Sequence, residues 1–346
     1  DGGRTEHNMW PIHAPGVFDG IFQVGASDER LLQPFSICYP TNRNTIYGFQ
    51  SRFSSPFDDN FDGLDIVECG FGSQEEFSQV DVDGKIALIQ RGPKDQGISF
   101  HDKNLNAKKA GAKACIIFNY DNRSFSPSLS TDGSANPYLE EFIPCMMVSY
   151  ETQEMLQHVA NGFGYIDFKD RQTQIAAYTS SGPCFSFNDG YFKPEICAPG
   201  TAIYSSIPTL EEGIEGPLWG KKQGTSMATP VVTGCAALLR HKYPSLSISE
   251  IQCLMMNTST ILYNPLTDEA FPFFYQGAGE INLKSAFESP LVANPGYSIV
   301  DKKDLDNAIE ISVKNIYNTP ISVSLSTEVI SKKDQNESYI GVFDKP

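Results

Sequence analysis

No run of about 18 apolar residues, the length a helix needs to cross a bilayer, occurs in the 346-residue chain. Basic residues are scarce: 26 Lys and Arg stand against 42 Asp and Glu, a formal charge of −16. Phosphate backbones and anionic lipids are bound by clustered Lys and Arg, so this balance argues against nucleic acid and a membrane surface as partners. The eight cysteines contain no Cys-x-x-Cys pair, which removes the common zinc spacings, and they are too sparse for a small disulfide scaffold. Glycine and proline, 28 and 22 residues, fall short of collagen-like or low-complexity chains. No internal repeat is found. The first residues, from Asp1, carry neither an initiator Met nor the regions of a signal peptide, and the expectation is a processed chain or a piece of a longer one.

The remaining composition, 40% apolar and 20% charged, is that of a globular protein long enough for two or three domains. Gly20 to Ala26 is a short apolar run that predicts a strand, and Leu31 to Asp65, rich in Ser, Asn, Pro and Asp, predicts loops and short edge strands. A regular α/β stretch follows. Strands are expected at Gly84–Arg91, Ala112–Tyr120 and Ile143–Ser149, with helices at Asp102–Ala110, ended by Gly111, and at Glu151–Ala160. Ile175–Tyr178 and Glu195–Ala198 predict strands. Met227 to His241 is apolar almost all round, which predicts a helix buried inside its domain. Ser247 and Glu250 form a capping box for another helix through about Thr258. From Ile309 apolar residues alternate (Ile309, Ile311, Val313; then Ile321, Val323, Leu325), the pattern of a β-sandwich edge.

The strongest chemical signal is Gly224-Thr-Ser-Met-Ala-Thr-Pro230 at the head of the apolar helix. A serine there meets the backbone N–H groups and the positive dipole end, which favour an alkoxide-like nucleophile and the oxyanion it creates. Ala228 stands where a nucleophile elbow, Gly-x-Ser-x-Gly, has its second glycine. By itself the pattern is an ordinary cap.

Its surroundings carry more. With Ser180-Ser-Gly-Pro183, Lys193-Pro-Glu-Ile-Cys-Ala-Pro-Gly200, Gln276-Gly-Ala-Gly279 followed by Ile281-Asn282, and the strand Ile21 to Ala26, the chain resembles the subtilisin-like serine proteases, or subtilases. The resemblance implies Ser226 as the acylated nucleophile. Between these motifs, Val82-Asp-Gly-Lys-Ile-Ala-Leu-Ile-Gln-Arg-Gly92, Ser99-Phe-His-Asp-Lys103, Asn106-Ala-Lys-Lys-Ala-Gly-Ala112 and Ile143-Pro resemble a protease-associated domain, a non-catalytic α/β module that some subtilases insert ahead of the serine. The tail after Ile309 falls where the family often has a fibronectin-III-like domain.

A serine nucleophile needs a general base and an orienting carboxylate. The family draws them from His-Gly-Thr and Asp-Ser/Thr-Gly. None of His7, His13, His101, His158 and His241 is followed by Gly-Thr. Asp19, Asp62, Asp83, Asp132 and Asp189 precede glycine directly. The family's oxyanion asparagine, in Ala-Gly-Asn-x-Gly, is expected immediately before Asp1-Gly2-Gly3. Asn8, the nearby substitute, lacks the preceding glycine.

Other residues have plainer readings. Cys235 and Cys253 are expected as buried thiols; a bridge between Cys115 and Cys145 is left open, and Cys38, Cys69, Cys184 and Cys197 cannot be paired from sequence. Asn122, Asn257 and Asn336 head glycosylation sequons, with Asn257 too close to the core for use.

The expected fold class is α/β: a partial subtilisin-like parallel-sheet core with an inserted protease-associated α/β domain and the start of a C-terminal β-sandwich. The domain expectation is residues 1–30 and 166–293 for the core, 31–165 for the insert and 294–346 for the sandwich. The functional expectation is a secreted or cell-surface serine endopeptidase acting on protein or peptide substrates, incomplete and inactive as this chain. The alternative is a non-catalytic binding protein on a degenerate protease scaffold. No cofactor is identifiable; structural calcium occurs in the family, with no ligand set recognisable here.

Overall fold

The computed structural model describes residues 20–29, 32–38, 45–51, 54–92, 97–123, 127–129, 142–182, 184–186, 189–191, 193–206, 219–298, 309–317, 319–324, 328–333 and 337–341. The chain divides into two compact units. One takes Asp1–Asp28, Thr173–Thr201 and Gln223–Pro346; the other takes Glu29–Gln172 and Ala202–Lys222.

Strand β1 (Val24–Asp28) belongs to the first unit. The second unit contributes β2 (Leu32–Cys38), β3 (Thr45–Gln50), β4 (Ile66–Glu68), β5 (Ile86–Gln90), β6 (Ala114–Phe118), β7 (Cys145–Val148) and β8 (Tyr165–Phe168). They form one sheet in the order β4-β5-β6-β7-β3-β2-β8. Strands β4 to β7 are parallel and the rest are antiparallel. Three helices accompany them: α1 (Gln74–Phe77), α2 (Phe100–Lys109) and α3 (Glu151–Ala160). Alternation along the central strands explains their unbroken apolar character. Ile86, Leu88, Ile116, Phe118, Met146 and Val148 pack on one face with Leu156 and Val159 of α3. Ala87, Ile89, Cys115, Ile117, Cys145 and Met147 pack on the other with Ala107 of α2. A sheet covered by helices on both faces has no polar side. Gly111, just past α2, has φ +88°, the left-handed conformation expected of a helix stop.

One expectation fails in this unit. Residues 31–65, expected as loops and short edge strands, include β2, a seven-residue interior strand between β3 and β8, buried along its whole length. Part of its buried polar content is hydrogen-bonded. Gln33 Nε2 donates to the carbonyls of Pro34 and Lys169, each at 3.0 Å. Strand formation follows packing against neighbours more than residue preference.

The first unit continues with β9 (Gln174–Ile175), the hairpin β10 (Cys184–Ser186) and β11 (Asp189–Tyr191), and β12 (Ile196–Pro199). The hairpin β13 (Ile203–Ser206) and β14 (Trp219–Lys222) falls in the second unit. Helices α4 (Thr225–Lys242) and α5 (Ile248–Asn257) return to the first, followed by β15 (Tyr263–Asn264), β16 (Glu269–Ala270), α6 (Phe273–Gln276), α7 (Leu283–Glu288) and β17 (Leu291–Asn294). Strand β1 lies at the centre of a three-stranded sheet, parallel to β12 and antiparallel to β9. Helix α4 packs on β1 and β12, where Val24, Ala26, Ile196 and Ala198 meet Ala228, Val232, Cys235 and Leu239. The capping box of α5 forms as expected between Ser247 and Glu250. Beyond residue 309, β18 (Ser312–Asn315) pairs antiparallel with β17, and β19 (Glu328–Lys333) with β20 (Glu337–Gly341).

Helix α4 also departs from expectation. It is buried along one stripe only; Thr229, Thr233, Gly234, Ala237 and Leu238 are exposed, with Leu238 at 51%. Apolar composition around a whole helix does not say how many of its faces this chain covers.

Candidate active site at Ser226

The serine motif folds as a sharp entry into α4. Gly224 is the N-cap with φ +142°, a backbone conformation that L side chains rarely adopt. Its N–H donates to the Gly200 carbonyl at 2.8 Å, and its own carbonyl accepts from Met227 N at 2.9 Å. Gly200 in turn donates to the Ser27 carbonyl at 3.1 Å. A Cβ on Gly200 would stand 2.7 Å from Ala26 Cβ, 3.0 Å from the Gly224 carbonyl oxygen and 3.2 Å from the Tyr178 hydroxyl oxygen. The glycine therefore permits a close approach that locates the helix entry against the end of β1. Tyr178 Oη and Thr201 Oγ1, 2.9 Å apart, share a hydrogen bond at the same place.

Ser226 lies in the first turn of α4 and is exposed. The first N–H groups of a helix have no intrahelical acceptor and, with the dipole, form a positively polarised end. Pro230 has no N–H to offer the Ser226 carbonyl four residues earlier, so the usual helical bond is missing at the serine. Thr229 Oγ1 donates to the Thr225 carbonyl at 2.9 Å, and Thr233 Oγ1 to the Thr229 carbonyl at 3.0 Å. These side-chain bonds tie down backbone acceptors in the proline-containing turns.

The flanking motifs have visible tasks. Lys193 and Glu195 make an ion pair with both side chains buried, at 3% and 8% exposure. Lys193 Nζ also donates to the Ile21 carbonyl at 2.5 Å, and Glu195 accepts from Gln23 N at 2.7 Å. Lys-Pro-Glu thus pins the segment leading into β1. Burial pushes the Glu195 carboxyl up despite its lysine partner. Gln276-Gly-Ala-Gly279 runs along the free edge of β12: Ala278 N donates to the Glu195 carbonyl at 2.9 Å and Cys197 N to the Gly279 carbonyl at 2.8 Å. A Cβ on Gly277 would fall 2.3 Å from the Glu195 carbonyl carbon. Thr179 Oγ1, before Ser180-Ser-Gly, accepts from Ala26 N at 3.0 Å. The sequence motifs contained Gly200 and Gly277 but did not distinguish their close contacts from ordinary turns, and the anchoring hydroxyl of Thr179 carried no signal.

Within the first unit no described histidine is brought to Ser226. His241, the only described histidine of this unit, lies 15 positions farther along α4, which is about 22 Å at the helical rise. His101 and His158 belong to the other unit. The His101 ring is buried edge-on to Phe142 at 5.5 Å, with Nδ1 3.4 Å from Asp102, and His158 is exposed on α3. His7, His13, Asn8 and the Asp1-Gly2-Gly3 start lie outside the described residues. Among the described residues no group of three or more His, Cys, Asp or Glu side chains could hold a metal ion.

Cys235 and Cys253 are buried free thiols, as are Cys38, Cys69, Cys115, Cys145 and Cys197. Asn122 is exposed and donates to Glu151 Oε1 at 2.7 Å. Asn257 Oδ1 accepts from Ala293 N at 2.8 Å. Asn336 is outside the described residues.

The model of the subtilase family matches residues 2–279. The minor extracellular protease Vpr of Bacillus subtilis is 30% identical over 303 residues, covering 85% of this chain and 35% of that protein. A C5a peptidase of Streptococcus pyogenes serotype M1 is 29% identical over 238 residues, 66% of this chain and 18% of its own. A subtilisin-like protease of Arabidopsis thaliana is 33% identical over 146 residues, 36% of this chain and 18% of its own. The chain therefore spans about a third, or less, of these relatives. Among solved structures, an aminopeptidase from an Aneurinibacillus strain overlays with a TM-score of 0.31 at 26% identity, covering 44% of this chain and 34% of that one. A psychrophilic subtilisin-like protease from an Antarctic Pseudoalteromonas overlays at 0.25 and 17% identity, covering 76% and 49%. Neither overlay is close enough to bear on the site.

Proposed function

The chain belongs to the subtilase family, and from that premise we propose that Ser226 is the acylated nucleophile of a serine endopeptidase. Its catalytic Asp, its His and its oxyanion Asn would lie upstream of Asp1. The carrying observation is the exposed Ser226 in the first turn of α4, behind the left-handed Gly224. In the reaction Ser226 Oγ attacks a peptide carbonyl while the upstream His takes its proton. The helix end favours the negative charge that develops on the carbonyl oxygen, and water later releases the acyl group. Protein or peptide substrates follow from this chemistry. Vpr is named as an extracellular protease, which supports a secreted or surface setting for the present chain.

The exposed stripe of α4 supports an upstream partner region. Thr229, Pro230, Thr233, Gly234, Ala237 and Leu238 present no charge, unlike an ordinary solvated helix face. Residues 31–165 are read as a protease-associated insert, supported by the interruption of the first unit between Asp28 and Thr173. The ladders beyond residue 309 are read as the start of a fibronectin-III-like domain. The competing reading is a non-catalytic binding protein on a degenerate protease scaffold.

A fluorophosphonate probe separates the two. The isolated chain should label slowly at Ser226, the natural protein extended upstream should label rapidly, and Ser226→Ala should not label. Rapid labelling of the isolated chain would refute the missing-base assignment. Failure of the extended protein to label would favour the binding protein.

A further inference from the structure

Strands β6 and β7 are parallel neighbours, and Cys115 stands directly opposite Cys145 in their register. Paired residues share a face, and both cysteines enter the same apolar cluster with no exposed surface. Adjacent strands lie roughly 4.8 Å apart, inside the roughly 4.4–6.8 Å between Cα atoms that a disulfide spans. The neighbouring Cys115 thiol acts directly on that of Cys145. Above them lies Asn104 of α2, itself fully buried. Its Nδ2 donates to the Ile143 carbonyl at 2.9 Å and contacts Cys115 Sγ at 3.4 Å. The same side chain interacts with the Cys145 sulfur. Among the described residues, Asn104 Oδ1 accepts no hydrogen bond.

We propose that Cys115 and Cys145 are an oxidisable dithiol site that closes to a disulfide across β6 and β7, with a small-molecule or protein disulfide as oxidant. The thiolate of one cysteine attacks the oxidant, forming a mixed disulfide and releasing one thiol. The second protein sulfur then attacks the mixed disulfide, forming the Cys115–Cys145 bond and releasing a second thiol. Two protein S–H bonds and the oxidant S–S bond are lost; one protein S–S bond and two S–H bonds form. Two electrons pass to the oxidant, with the two protons going to the released thiolates. Asn104 is a positioning residue whose amide hydrogens face the sulfur as negative charge develops on it.

The neighbouring Cys115 thiol and burial push the Cys145 thiol well above its ordinary value, so exchange in the closed sheet is slow and proceeds readily while the sheet is open. Cys69 lies in the same apolar cluster but follows β4, with β5 intervening before β6. Two strand spacings, about 10 Å, exceed disulfide reach, and Cys69 Sγ is turned to the Val67 carbonyl at 3.2 Å. The site thus selects one partner. Its closure ties the ends of the connection from β6 to β7 and is independent of Ser226.

The test uses the whole chain, equilibrated in glutathione buffers from reducing to oxidising, both folded and during refolding from urea. Each sample is quenched in acid, alkylated after denaturation and mapped by mass spectrometry. Closure removes two alkylatable thiols and joins the peptides containing Cys115 and Cys145, until dithiothreitol separates them. Oxidation should raise the thermal midpoint of the wild-type chain but not of Cys145→Ala. Appearance of the bond only on refolding also supports the site. Full alkylation of both residues in every buffer, folded and refolded, overturns it, as does pairing of either with Cys69.

Discussion

Removing the Glu195 carboxylate leaves the buried Lys193 charge without its counter-ion. Deleting one member of a buried pair costs about 3–5 kcal/mol, whereas replacing both by apolar residues of similar volume is near neutral. Glu195→Gln should therefore lower unfolding free energy in urea by that amount, with Lys193→Met/Glu195→Leu recovering most of it. Gly277 tests the motif along β12. Its φ of +61° and the Cβ position 2.3 Å from Glu195 predict that Gly277→Ala destabilises by more than about 1 kcal/mol, read from the same denaturation curves. These roles were only partly legible in the linear order. Lys193-Pro-Glu195 and Gln276-Gly-Ala-Gly279 stand out as motifs, but 80 residues separate two segments whose backbones touch. Chain spacing does not encode that approach.

Among the elements, helices α2 and α5 were the most legible, because their start or stop signals are local. The Ser247–Glu250 capping box carries a pH prediction. Lys314, with the Ser247 backbone, holds the Glu250 carboxyl down at about 2, against an ordinary 4.5. A carboxyl lowered in the folded state contributes stability above its unfolded value, and the contribution is lost as pH falls through the folded one. The stability advantage of wild type over Glu250→Gln should be constant above about pH 4.5, shrink below it and vanish near pH 2, as measured by denaturation across pH. High salt should reduce the same advantage by screening the exposed Lys314 pair. Strand β2 was the least legible element. Polar residues and Pro34 suggested loops and short edge strands, but Gln33 finds carbonyl partners and the neighbours β3 and β8 bury it.

For the whole molecule, the incomplete covering of α4 makes its own prediction. Leu238 is half exposed, so Leu238→Asp should change the isolated chain's stability by no more than about 0.5 kcal/mol. In the protein extended upstream, the same substitution should sharply reduce fluorophosphonate labelling at Ser226, because that face would then be buried against the added region. Equal labelling of wild type and variant in the extended protein would reject that use of the face. By itself the sequence determined the α/β class, the Ser226 motif, its helix and the lack of a His-Gly-Thr or Asp-Ser/Thr-Gly source for the other triad members. These depend on residue identity and short spacings. Only the tertiary structure decided that β12 and its Gly-Ala-Gly neighbour join, that Gly200 sets the entry to α4, that Cys115 opposes Cys145, and that α4 has an open face. Each depends on which distant segments lie side by side, and packing, not local preference, decides that.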